Sequence, residues 1–367
     1  MMTIPFLELR PAYLELKDEF DAVWHRVMAS GWYLLGGELE SFEQEYAAYC
    51  GAKYCIGVGS GVDALHLALR SCEIGLGDEV IVPSNTFIAT WLAVTFAGAA
   101  PVPVEPDPKT FNLDPGRVAA AITPHTRAII PVHLYGQPAD MDPIIAIAEK
   151  HGLKVLEDTA QAQGACYKGR RAGSVGHAAA HSFYPSKNLG AFSDGGAVTT
   201  DDASLADKLR ELRNYGSKVK YYHERIGINS RLDELQSAFL RIKLAKLDEW
   251  NDRRKTIAQY YLNELQGLPE LMLPFVPTDM DPVWHLFVVR HPRRDELQRH
   301  LAEAGIGTLI HYPVPPHLSG AYSDLGQRQG AYPIAEHLSR TVLSLPIGPH
   351  LNREAQNHVI AAIRSFR

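Results

Sequence analysis

At 367 residues the chain exceeds the size at which one hydrophobic core keeps growing, so two domains are expected. The 36 basic residues against 42 acidic ones leave a net charge of −6, which gives no general attraction to nucleic acid or an anionic membrane. Any phosphate recognition must therefore be local. The four cysteines (Cys50, Cys55, Cys72, Cys166) form no CxxC pair, which argues against a thiolate metal centre and against a disulfide framework. The N-terminal stretch MMTIPFLELRPAYLELKDEF has early acids and no basic-then-apolar leader, so a cytoplasmic protein is expected.

From about residue 50 to 200, short apolar runs alternate with helical stretches. KYCIGVGS reads as a strand, VDALHLALRSC as a helix and EVIVPS as a strand. Residues 86–104, TFIATWLAVTFAGAAPVPV, carry no charge and approach the length of a membrane span. Pro101 and Pro103 end that run and Thr86, Thr90 and Thr95 interrupt it, so a buried helix followed by a short strand is predicted. RAIIPVHLYG then reads as a strand, DPIIAIAEKHG as a helix stopped by Gly152, and LKVLED as a strand. This alternation predicts an α/β fold with a mostly parallel central sheet flanked by helices, and ligands gather at the carboxyl ends of such strands.

Beyond residue 229 the pattern changes. NSRLDELQSAFLRIKLAKLDEW has apolar residues at 232, 235, 239 and 242, a helical spacing, with Ser230 and Asp233 as its capping start. HLFVVRHPRRDELQRHLAEAGIGTLIHY reads strand, helix, glycine stop at Gly305, strand. A large domain over 1–250 and a smaller α/β C-terminal domain over 251–367 are expected, bridged by the long helix. Arg293, Arg294 and Asp295 read as a solvated helix start, and Cys166 as a small buried residue.

Three features carry chemistry. Gly59, Gly61 and Ala64 spell GxGxxA between a strand and a helix, the shape of a dinucleotide fingerprint. That reading needs an acid at the end of the second strand, whereas Asp78 and Glu79 stand at its start. A glycine turn opening a helix remains, which is either an anion site built from backbone N–H groups or merely a tight turn. Asp158 ends a strand that should be buried, where a carboxylate needs a partner. A helix cap or an ion pair would satisfy it as well as a ligand would, and Gln161 faces the same way. Finally, HSFYPSKNLGAFSDGGAV sets Lys187 among Phe183, Tyr184, Pro185, Leu189 and Phe192, with Asp194 the nearest acid. Such surroundings lower a lysine pKa and supply the neutral amine of a Schiff-base nucleophile, although a snorkelling lysine also fits. Together, a phosphate cradle, a buried acid and a desolvated lysine are the three requirements of pyridoxal phosphate. His177 and His181 have the i, i+4 spacing of helical metal ligands, but they border an apolar strand-like run with no carboxylate alongside, so no metal site is assigned.

The stretch EDTAQAQGACYKGRRAGSVGHAAAHSFYPSKNLGAFSDGGAVTT resembles the core of the DegT/StrS family of sugar aminotransferases, which are pyridoxal-phosphate enzymes of fold type I with the aspartate-aminotransferase-like fold. The resemblance extends through PFLELRPAYLELKDE, GDEVIVPSNTFIAT, VHLYGQPADMD, LRNYGS and GINSRLDELQSAFL, nearly the whole chain. It implies that Lys187 holds the cofactor and shuttles the proton, that Asp158 pairs with the pyridine nitrogen and that Gln161 bonds the ring hydroxyl. It further implies that Phe87 stacks on the ring, that Ser182 and the backbone at Gly61 and Val62 hold the phosphate, and that Asn229 reaches that phosphate from a neighbouring subunit. The working unit would then be a homodimer with a composite site.

Many members read G-T-D-A where this chain has Gly61-Val62-Asp63-Ala64, so one hydroxyl contact is missing while the N–H remains. The valine, and GIGTLIHYPVPPHL with His311 and Tyr312, resemble the subgroup that aminates the sugar 3-position. His311, Tyr312 and Tyr184 would border the sugar. The implied reaction moves an amino group from L-glutamate to a dTDP-linked 3-keto-6-deoxyhexose. The alternatives are a 4-ketosugar aminotransferase, a pyridoxal-phosphate-dependent sugar dehydratase and a non-catalytic regulator of the same fold.

Overall fold

The computed structural model describes residues 2–366. Its centre is a seven-stranded sheet of β1 (Tyr54–Val58), β2 (Glu79–Pro83), β3 (Ala100–Val104), β4 (Thr126–Ile129), β5 (Lys154–Asp158), β6 (Ala178–Ser182) and β7 (Gly196–Thr200). The strands lie in the order β1-β7-β6-β5-β4-β2-β3. Pairings from β6 across to β3 are parallel, while β7 runs antiparallel to both β6 and β1. Reversing one strand leaves β1 pointing the same way as β6, so six of the seven strands present their carboxyl ends at one edge.

The strands are short continuous apolar runs because helices cover both faces. On one face the helices Gly61–Ser71, Ile88–Phe96 and Ala203–Leu212 bury Leu67, Trp91 and Leu209 against Val58, Val82 and Leu156. On the other, the Gly37–Cys50 and Met141–His151 helices bring Phe42, Tyr46, Met141 and Ile144 against further sheet residues. The uncharged 86–104 stretch forms the predicted helix and strand, and no helix among the described residues is long and apolar enough to cross a membrane. A separate core gathers Tyr261, Leu265, Phe287, Leu301, Leu343, Val359 and Ile363, where Phe287–Arg290 pairs antiparallel with Val342–Leu345. Ile4 joins this second core: it donates its N–H to Gly305 and accepts from that of Gly307, each at 2.8 Å.

Several local expectations are corrected. The helix after residue 229 spans Glu234–Leu244 and is capped by Asp233, which accepts from the Gln236 N–H at 2.8 Å. Ser230 lies outside the cap, donating to Asp63 at 2.7 Å and accepting from the Gly59 N–H at 2.8 Å. The expected single bridging helix is two, because the chain breaks at Ala245 and Lys246 before a second helix, Leu247–Leu265. Residues 305–312 form only isolated bridges, Ile4 to Ile306 and Leu309 to Ser344, in place of a strand. Arg294 is buried rather than solvated, since its guanidinium donates to the carbonyls of Ser339 and Val342. Cys166 is half-buried on a two-residue strand.

Buried carboxylates join separate elements by accepting from backbone N–H groups. Glu234 accepts from Gly36, Glu38 and Leu39 at the start of the Gly37–Cys50 helix. Glu105, just after β3, accepts from Ile334 and Ala335 at the start of the Pro333–Thr341 helix and from the Ser84 hydroxyl. An anion at a helix N-terminus is favoured by the dipole and by the orphan N–H groups there. Glu105→Ala leaves three donors without their acceptor, so we expect a loss of about 2–4 kcal/mol of stability. Urea unfolding of the two proteins measures it.

Candidate active site

A cavity of about 520 Å³ opens at the carboxyl edge of the sheet, the size of a small-molecule site. Gly61, Val62, Phe87, Asp158, Gln161, Ser182, Tyr184, Lys187, His311 and Tyr312 all line it. One predicted site residue is elsewhere: Asn229 is exposed, bridged to Asn214, and is not part of the wall.

The phosphate-cradle expectation concerns the turn after β1. Ser60 caps the Gly61–Ser71 helix by accepting from the Asp63 N–H at 3.1 Å, and the Ser60 carbonyl accepts from Ala64. The N–H groups of Gly61 and Val62 have no acceptor among the described residues. Glycine is required at 61 because a Cβ there would lie 2.7 Å from the Ser182 Cβ. Gly196 is required for a similar reason, since its Cβ would meet the Ser60 carbonyl oxygen at 2.3 Å. Two free N–H groups and the Ser182 side chain thus converge at a helix N-terminus, an arrangement that suits a phosphate.

Lys187 sits in the loop 183–195 that joins β6 to antiparallel β7. The loop is pinned by the Phe183 N–H to the Gly195 carbonyl and by the Ala191 N–H to the Phe183 carbonyl, both 2.8 Å. Burial lowers the Lys187 ammonium from 10.5 to about 8, although the Asp158 carboxylate pulls the other way.

Asp158 and its neighbour Glu157 make an internal comparison on one strand. Glu157 faces away from the cavity and accepts from His133 Nε2 and from the N–H groups of Gly173, Val175 and Gly176. Burial opposes its charge, but these donors hold the carboxyl below its ordinary value. Asp158 faces the cavity with two donors, the Thr90 hydroxyl at 2.9 Å and the Ala160 N–H at 3.2 Å. Burial there wins over Thr90, Ala160 and Lys187, and the Asp158 carboxyl is raised. Asp158 therefore retains capacity for one more strong donor, which a protonated ring nitrogen fits.

Gln161 is more constrained than the sequence implied. Its Oε1 accepts from the Tyr135 N–H at 2.6 Å and its Nε2 donates to the Tyr312 hydroxyl at 3.0 Å, leaving one amide hydrogen free. The Phe87 ring, half-exposed at the start of the Ile88–Phe96 helix, lies 5.1 Å from that of Tyr312. His311 bonds Ser344 through Nδ1 at 2.8 Å, and burial together with Lys187 lowers it to about 4, so its imidazole is neutral at pH 7. His177 and His181 do not form a pair: His177 accepts from the Val155 N–H, while His181 in β6 bonds Tyr46, Thr159 and Thr199.

Sequence reasoning missed Thr90 as the Asp158 partner, with Thr86 2.9 Å beyond it, because hydroxyls read there as breaks in an apolar run. It also missed His285, which lines the cavity and bonds Asn188 at 3.1 Å, since its segment gave no site signal.

Comparison with known proteins places the chain in a defined class. The chain belongs to the DegT/DnrJ/EryC1/StrS aminotransferase family, whose profile matches residues 15–364. It is 59% identical to the "Erythromycin biosynthesis sensory transduction protein EryC1" of Saccharopolyspora erythraea, over 99% of this chain and 100% of that protein. It is also 59% identical to a dTDP-3-amino-3,4,6-trideoxy-alpha-D-glucose transaminase of Streptomyces venezuelae, over 99% and 96% of the respective chains. Among solved structures, DesV of S. venezuelae in complex with a ketimine intermediate superposes with a TM-score of 0.98 at 59% identity, covering 99% of this chain and 98% of that one. NtdA from Bacillus subtilis with bound cofactor PMP superposes at 0.92 and 32% identity, covering 99% and 85%.

Lys187 has a linkage consequence. Its folded pKa of about 8 lies below the unfolded value near 10.5, so the unfolded chain binds more protons between those pH values and stability rises with pH across that window. At pH 7 the desolvated ammonium costs the cofactor-free protein about 3 kcal/mol. Lys187→Met should therefore raise the stability of the cofactor-free protein at pH 7, with the advantage fading by pH 11. Denaturant unfolding across pH checks this.

Proposed function

We propose that this protein is a pyridoxal-phosphate-dependent aminotransferase that moves an amino group from L-glutamate to a nucleotide-linked ketosugar, first of all a dTDP-3-keto-6-deoxyhexose. The observation that carries the reading is the convergence in one cavity of Lys187, Asp158 and the free N–H groups of Gly61 and Val62. Relatives named as sugar-nucleotide transaminases support it, including a dTDP-3-amino-3,6-dideoxy-alpha-D-galactopyranose transaminase of Aneurinibacillus thermoaerophilus at 54% identity, over 99% of both chains.

Pyridoxal phosphate supplies an electrophilic carbon and an electron sink. Gly61, Val62 and Ser182 would hold its phosphate, Asp158 would keep the ring nitrogen protonated, Gln161 would offer its free amide hydrogen to the ring hydroxyl, and Phe87 would pack against the ring. Lys187 Nζ, an amine for a useful fraction of the time near neutral pH, would take the proton from the donor's α-carbon and deliver it to the former aldehyde carbon of the cofactor, and would run the transfer in reverse for the ketosugar. Thr90 orients Asp158. Glutamate leaves as 2-oxoglutarate in one half-reaction, and the ketosugar leaves with the amino group in the other.

The sugar lies against Tyr184, His311 and Tyr312. Neutral His311 and the hydroxyl of Tyr312, whose pKa burial raises, offer hydrogen bonds without charge. Lys187 is the one lysine among the residues lining the cavity, and no arginine is among them. A diphosphate and the glutamate carboxylates need further cations, which supports a homodimer in which the partner completes the site and Asn229 crosses to it. The division near residue 250 is likewise part of this reading, supported by the separate second core.

Incubation with L-glutamate and a panel of dTDP-ketosugars tests the substrate. The expected result is 2-oxoglutarate together with a 3-amino sugar; turnover of 4-ketosugars alone would overturn the 3-position assignment. In solution the protein should run at about twice the 40.6 kDa of one chain, as light scattering measures.

A further inference from the structure

A second lysine is almost fully buried next to the loop that carries Lys187. Lys243, on the Glu234–Leu244 helix, is 7% exposed and donates from Nζ to the Gly190 carbonyl at 2.7 Å. Its ammonium lies 3.9 Å from the Phe192 ring centroid and 5.8 Å from that of Phe20. No salt bridge holds it among the described residues. A buried cation held by a carbonyl and aromatic faces alone is costly, and burial lowers Lys243 to about 8. A residue serving only to fill space there would be apolar.

What Lys243 holds is the return limb of the loop. Gly190 closes against the start of the same loop, since a Cβ on it would meet the Pro185 carbonyl oxygen at 2.4 Å. Two turns earlier on the same helix, Gln236 Oε1 accepts from the Phe192 N–H at 2.8 Å. Phe192 packs edge-on against Phe20 and Phe239, with ring centroids 5.1 and 5.2 Å away. The helix thus grips residues 190–192 at two points, while Lys187 lies between that grip and the end of β6.

We propose that Lys243 is a positioning residue for Lys187, which clips the Gly190–Phe192 limb to the Glu234–Leu244 helix and thereby holds the Lys187 amine in its half-buried place in the cavity wall. This rests on Lys187 being the cofactor-bearing lysine, as proposed above. The clip acts before any turnover. Addition of the Lys187 amine to the aldehyde carbon of pyridoxal phosphate, with loss of water, requires the unprotonated form. A loosened loop admits water to Lys187 and raises its pKa toward 10.5.

The test is the rate at which cofactor-free protein takes up pyridoxal phosphate, followed by visible absorbance across pH. Wild type should give a midpoint near pH 8. Lys243→Met should move it up by about one unit and slow uptake at pH 7 by about tenfold. Lys243→Arg, which keeps charge and donor, should recover most of the rate. A folded Lys243→Met protein with wild-type rate and midpoint would overturn the proposal. Should that variant not fold, Phe192→Leu removes the aromatic face and should shift the midpoint the same way by a smaller amount; an unchanged midpoint there would also overturn it. Failure of wild type to take up the cofactor would instead reject the function proposed above.

Discussion

A primary amine half-buried in the wall of a cavity at the carboxyl edge of a sheet is the constraint around which the rest of this structure is arranged. Burial reduces the Lys187 pKa to about 8 against the pull of Asp158; its loop is closed on itself, the strand that follows runs backwards, and Asp158 and Asp194 are the carboxylates that share the cavity wall. Reversal of β7 makes the loop 183–195 a hairpin connection rather than a crossover. Both its ends are then fixed in one sheet, and Lys187 lies beside Ser182 and the Gly61 turn. Six strands ending at the same edge bring Asp158 there as well.

Electrostatics at that edge are set by how many donors each buried acid receives. Glu157 and Asp158 are adjacent in sequence and both are buried, yet their pKa shifts have opposite sign. Four donors surround Glu157 and fix it as a structural anion, whereas two leave Asp158 open to a further one. Glu105 and Glu234 repeat the structural arrangement at helix starts. Glu105, Glu157 and Glu234 each accept from two or more backbone N–H groups, whereas Asp158 accepts from one, that of Ala160. That exception marks the place where a cationic ring nitrogen would be welcome.

Much of this was legible in the amino-acid order. Continuous apolar runs ending in Gly59, Pro83 and Asp158 mark parallel strands, and the residues just beyond them line the cavity. Lys187 stood out because its neighbours carry so little charge. What stayed hidden depends on distant partners. Ser230 and Asp233 are both good capping residues, and only the approach of Asp63 draws Ser230 away. Arg294 looks solvated until the Ser339 and Val342 carbonyls are placed over it. Lys243 lies in an ordinary amphipathic helix, and nothing local announces that Gly190 is its acceptor. Asn229 lies outside the cavity of its own chain, where it bridges to Asn214.

Two lysines therefore share a depressed pKa near 8, but only Lys187 faces the cavity. The most direct measurement exploits that difference. Protein incubated with pyridoxal phosphate is reduced with borohydride, digested and sequenced by mass spectrometry. The account predicts one pyridoxyl phosphate group per chain, on Lys187, with Lys243 unmodified. Labelling spread over surface lysines, or its absence from Lys187, would contradict it.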